Sequence, residues 1–175
     1  MTLNKKEIEK LAREYHKVEG EHNYKLENRL LSSLPSKFEN SSWGMNDMMD
    51  IMSWMRPALK NHFSQNSHSD VQNAVRRATK ATDVSDKIEA LNEIYGVRTK
   101  VASAILMYMD PDDFSVMTNP SLIGLRDNGY SVPAPSDNPS ADEYAQYLDE
   151  CRSIASQNNV SLRTLDRAMV VSSSD

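Results

Sequence analysis

The sequence predicts a single all-α domain, and three observations carry that expectation. Only 5 glycines are spread over 175 residues and aromatic residues make up 7%, too few turn and strand formers for a β-sandwich. Apolar side chains recur at three- and four-residue steps, the period of a helix buried on one side. Helix-start signals recur too: Asn4 with Glu7, and Ser140 with Glu143, have capping-box spacing.

Taken in order, Asn4 opens a polar helix expected to run through about Leu31, with Ile8, Leu11, Tyr15 and Val18 on its buried stripe. Pro35 is its expected stop. A loop of Ser41, Ser42 and Gly44 leads to a Met- and Trp-rich helix from Met45 to Met55, interrupted by Pro57. A polar stretch from Asn66 to Ser69 precedes a helix with Val71, Ala74, Val75 and Ala78 on one face. Asp83 or Ser85 caps the next, which carries Ile88, Leu91 and Ile94. Beyond Asp110-Pro111-Asp112-Asp113 comes a short helix from Pro120 to Arg126, then a Pro- and Ser-rich loop from Ser131 to Pro139. Ser140 caps a helix through about Ser156, and Ser161 caps a last one carrying Leu162, Leu165, Ala168 and Met169. Residues 1–171 are expected to form the one domain and residues 172–175 a disordered tail.

Composition narrows the chemistry. Cys151 is the only cysteine, which excludes an internal disulfide, a Cys-ligated iron–sulfur cluster and a multi-Cys zinc site. His16, His22, His62 and His68 lack metal-ligand spacing and read as surface residues, so neither metal nor cofactor is expected. No apolar run reaches membrane-spanning length, and the first residues turn charged at once, so an intracellular protein is expected. The net charge of -5 argues against indiscriminate coating of nucleic acid. Charge is nevertheless segregated: Arg56, Lys60, Arg76, Arg77 and Lys80 form a basic middle stretch, opposed there only by Asp70.

Residues 91 to 106 read Leu-Asn-Glu-Ile-Tyr-Gly-Val-Arg-Thr-Lys-Val-Ala-Ser-Ala-Ile-Leu, two helices meeting through a very tight turn. Gly96 falls where the chain needs a left-handed residue, and Val97 plugs the space between the helices. Ala102 gives the second helix a small face for close packing. The product is a helix N-terminus with free N–H groups around residues 97 to 100, an arrangement that holds phosphate through backbone donors and the helix dipole. Gly96, Val97, Arg98, Thr99 and Lys100 are thus candidate contacts to a DNA backbone, positioning the protein without reading bases.

This stretch resembles the helix-hairpin-helix DNA glycosylase superfamily, and Gly96-Val-Arg-Thr-Lys100-Val-Ala102 is most similar to its 8-oxoguanine glycosylase branch. Pro111-Asp-Asp-Phe114-Ser-Val116 resembles the family's connector into a strand-like turn. Trp54-x-Arg56, Tyr147-Leu-x-x-Cys-Arg152 and Leu162-Arg163-x-Leu-Asp-Arg167-Ala resemble short prokaryotic members. The resemblance is concentrated over residues 88 to 127. It implies an all-α helical array containing the helix-hairpin-helix motif, and a monomer acting on duplex DNA. The substrate base, damaged or modified, would be flipped into a cleft and excised by cleavage of its N-glycosidic bond. It also implies a site in the cytoplasm, among nucleoid DNA, of a prokaryote or a virus-infected cell.

Within the resemblance Lys100 matches the nucleophile, and an Asp is due where Thr118 and Asn119 stand. Arg98 replaces the second hairpin glycine. Lys100 therefore has two readings, a nucleophile of lowered pKa or a phosphate contact. With the Asp absent, three explanations stay open: the chemistry is lost, one of Asp110, Asp112 or Asp113 substitutes, or the amide was introduced to trap a complex. A binding module that kept the fold is the alternative function, and a scaffold whose hairpin binds another protein is a third. Trp43, in its Ser-Gly loop, is the candidate for contact with a flipped base, whereas Trp54 in a Met-rich stripe reads as core.

Overall fold

Polar caps start the helices. The Asn4 side chain accepts from the Glu7 N–H at 2.9 Å while Glu7 reaches back to the Asn4 N–H, and Ser140 and Glu143 repeat the exchange. In the computed structural model, which describes residues 2–175, the elements begin with α1 (Lys5–Ala12), α2 (Tyr15–Glu19), α3 (Glu21–Glu39) and α4 (Met45–Met55). They continue with α5 (Leu59–Phe63), α6 (His68–Lys80), α7 (Val84–Asn92) and α8 (Thr99–Met109). The last three are α9 (Asn119–Asp127), α10 (Ala141–Asn158) and α11 (Leu162–Ser173). No strand occurs among the described residues, so the fold is all-α. None of their helices is long and apolar enough to cross a membrane.

α8 is the hub. Every side chain from Val101 to Tyr108 is buried, the pattern of a helix covered on all sides. It packs against α3, α4, α7 and α10. α11 closes the other half of the molecule against α1, α2, α9 and α10. Between these halves lies a buried ion cluster. Glu27 of α3 is fully buried, accepts from the Tyr15 hydroxyl at 2.6 Å, and pairs with Arg163 and Arg167 of α11. Arg163 also holds buried Asp166 at 2.9 Å.

Four expectations are corrected. The N-terminal helix is three helices. The first break falls at Arg13 and Glu14, and the second at Gly20, whose φ of 90° leaves the helical region. The breaks turn Tyr15 inward to Glu27 instead of extending one rod across the surface. Pro35 lies inside α3 and does not end it. A proline there costs about 3 kcal/mol, but Leu30 and Leu34 are fully buried before it and Phe38 packs on Trp43 after it. The tail is ordered further than expected: α11 runs to Ser173, and the Ser173 and Ser174 hydroxyls return to Val170 and Val171 carbonyls. Finally, Trp43 is not a free loop residue. It is 7% exposed, stacked on His68 with ring centroids 5.2 Å apart, and does not line the cleft described below. Smaller adjustments follow: Asp83 caps α7 without a side-chain bond, and Ser85 instead donates to Asp142 of α10 at 2.8 Å.

Candidate functional site

Six residues, 93 to 98, connect α7 to α8. Val97 closes this turn with an N–H to Ile94 O bond of 3.0 Å, and Ile94 and Val97 are buried beneath it. Gly96 has φ of 82°, and a Cβ there would stand 2.9 Å from the Cβ of His62. Position 96 therefore combines a left-handed backbone with a close approach, and glycine alone meets both conditions cheaply. Asn66, before α6, clamps the turn from outside: its side chain accepts from the Tyr95 N–H at 3.0 Å and donates to the Tyr95 carbonyl at 2.9 Å.

α8 starts at once after this turn. Its first helical hydrogen bond joins Ala102 N–H to Arg98 O, so the N–H groups of Thr99, Lys100 and Val101 have no helical acceptor. The free donors thus begin after residue 97, because the Val97 N–H is already spent. Of the five predicted backbone contacts, Gly96, Val97, Arg98 and Lys100 line one cleft. Thr99 is buried and does not.

The cleft has a volume of about 1090 Å³ and brings distant segments together. Met55, Arg56 and Leu59 come from the α4–α5 corner, His62 from α5, Thr118 and Asn119 from the start of α9, and Asp137 and Pro139 from the loop before α10. Lys100 Nζ donates to Asn119 Oδ1 at 2.9 Å. Thr118 is otherwise engaged, capping α9 with its oxygen on the Ser121 N–H at 3.2 Å and its hydroxyl 2.8 Å from that of Ser121. Asn119 is therefore the residue of the pair that meets Lys100. Burial pushes the Lys100 ammonium below its ordinary pKa, and the Asp137 carboxylate partly offsets that fall.

The extended segment before α9 sets this geometry. Ser103 of α8 accepts from the Met117 N–H at 2.9 Å. Tyr144 and Tyr147 of α10 donate to the carbonyls of Ser115 and Val116, each at 2.7 Å. The connector is thereby fixed to both α8 and α10, and Asn119 is delivered to Lys100 by rigid elements. A smaller chamber of about 260 Å³ shares Met55 and Thr118 with the cleft. Trp54, Arg163 and Asp166 line this chamber, and the buried indole N–H of Trp54 has no partner.

Other predicted residues fall elsewhere. Asp110, Asp112 and Asp113 lie past the C-terminal end of α8, about 15 Å along the helix from Lys100 at its usual rise. They cannot replace a carboxylate at Asn119, and Asp113 is paired with Arg152 at 3.2 Å. Of the basic stretch, only Arg56 lines the cleft. Arg77 instead pairs with Glu93 of the turn. Sequence reasoning missed His62, Tyr95 and Asp137, which reach the cleft from three segments. No family model, no curated protein and no solved structure matches this chain.

Proposed function

We propose that the protein binds duplex DNA through the α7–α8 turn, as a helix-hairpin-helix protein of the glycosylase kind, and excises a damaged or modified base with Lys100 as nucleophile. The observation carrying this reading is the hydrogen bond from Lys100 Nζ to Asn119 Oδ1, set in a cleft at the free N-terminus of α8. Backbone N–H donors there suit a phosphate, and Arg98 adds an exposed charge beside them. A half-buried lysine of lowered pKa is suited to attack a sugar carbon. The chamber that shares Met55 and Thr118 with the cleft offers room for a base turned out of the duplex.

The amide at Asn119 favours a second reading, a binding module without excision, because an amide neither takes up a proton nor carries the charge that stabilises a developing sugar cation. One experiment separates them. The protein is incubated with duplex DNA holding an abasic site or 8-oxoguanine, with borohydride present. A covalent adduct lost in Lys100→Gln supports the enzyme, and tight, salt-sensitive duplex binding without adduct supports the module. Binding that is absent at low salt contradicts both. Asn119→Asp is expected to accelerate the adduct about a hundredfold or more, and a variant that folds, binds and shows no gain speaks against this role for position 119.

A further inference from the structure

Two carboxylates line the Lys100 cleft, Glu93 and Asp137. Glu93 is committed to Arg77. Asp137 forms no ion pair among the described residues, and it stands on the segment joining α9 to α10. That segment is anchored on both sides of it. Arg126 holds the Val132 carbonyl at 2.9 Å, Val132 is buried, and Pro139 is buried at the cleft wall. Pro133, Pro135 and Pro139 further restrict its backbone.

We propose that Asp137 is the proton acceptor for Lys100, supplying from the α9–α10 loop the carboxylate that position 119 lacks. The inference rests on the excision reading above and extends it to a residue outside the helix–turn–helix stretch of α7 and α8 on which that reading stands. The remaining charged or titratable groups on the cleft do not serve. Arg56 and Arg98 are cations, Glu93 is paired, and His62 and Tyr95 face each other with His62 Nδ1 3.3 Å from the tyrosine hydroxyl. The Asp137 carboxylate also favours the ammonium form of Lys100, partly offsetting the effect of burial.

On an abasic site the step balances as follows. The Lys100 ammonium gives one proton to the Asp137 carboxylate through the water that fills the open cleft, since the two side chains are not in direct ion-pair contact. The free amine adds to the sugar aldehyde carbon, forming the C–N bond and leaving a hydroxyl where the carbonyl was. Asp137 returns its proton to that hydroxyl, which departs as water, and the protonated imine remains on Lys100. The net change joins ammonium and aldehyde into iminium and water, with Asp137 restored.

Two measurements test the role. In the protein alone, the pH profile of reductive methylation at Lys100 is followed by peptide mass. Asp137→Asn is expected to move its midpoint to lower pH, because a carboxylate that favours the ammonium is gone. With duplex DNA carrying an abasic site and borohydride, Asp137→Asn is expected to slow adduct formation about a hundredfold, and adding Asn119→Asp to restore most of it. Circular dichroism of Asp137→Asn, an exposed loop position, checks that the fold is kept. An unmoved midpoint overturns the coupling. Adduct formation at the parent rate in Asp137→Asn overturns the role while leaving the excision reading intact. No adduct from the parent protein overturns both.

Discussion

Gly96 holds a φ of 82° and has His62 directly above it, so two independent penalties meet any side chain placed there. Gly96→Ala is expected to lose about 1–3 kcal/mol of stability, the usual cost of a strained non-glycine residue. Chemical denaturation would show this as a lowered midpoint at unchanged slope, and the duplex binding proposed above should weaken with it. An unchanged midpoint would mean that the turn has an alternative conformation. This glycine was legible in the sequence because its requirement is local. The meeting of Lys100 with Asn119 was legible only through resemblance, and Asp137 was not legible at all, since nothing in Ser136-Asp137-Asn138 says which way a loop faces. Trp43 shows the opposite error. Its Ser and Gly neighbours signal a loop correctly, but Phe38 and His68, which cover it, arrive from other elements.

α9 packs closely on α11, and Gly124 permits the approach. A Cβ at that position would overlap the Met169 carbonyl of α11, so the two helix backbones touch there. Gly124→Ala must push α9 outward, at about 1–3 kcal/mol for an overpacked contact. Asn119 begins the same helix, so the displacement should also lengthen its contact with Lys100 and change the pH profile of lysine methylation. Ile123→Ala, one residue earlier on the exposed face, is expected to alter stability by less than about 0.5 kcal/mol. Equal effects from the two would remove the helix contact as the cause. Starts of helices were readable because caps are written in adjacent residues. Ends were less so: Pro35 reads as a stop, yet buried Leu30 and Leu34 before it and Phe38 packed on Trp43 after it carry α3 on to Glu39.

The two halves of the molecule are joined through charge as well as apolar packing. Burial alone would raise the Glu27 pKa, but Arg163 and Arg167 outweigh it, and the folded value lies below the ordinary one. The stability contributed by this carboxylate is therefore complete above its unfolded pKa near 4.5, and is lost as pH falls through the folded value. Asp166 is shifted upward by burial and contributes in the opposite sense, losing stability as pH rises through its folded value. Urea denaturation from pH 7 downward should show an acid limb that Glu27→Gln largely lacks. The variant itself should cost about 3–5 kcal/mol at pH 7, because it takes the anion from Arg167 and one of two anions from Arg163. None of this is visible along the chain, because the arginine partners of Glu27 lie near the far end of the sequence. One small feature acts across a comparable span. By holding both backbone poles of Tyr95, Asn66 closes a loop of 29 residues onto the turn that faces the cleft. The amide hydrogen of Tyr95 can exchange with water only when that loop opens, although its side chain is largely in solvent. The turn is consequently rigid before any partner arrives, and its ordering entropy belongs to folding and not to association.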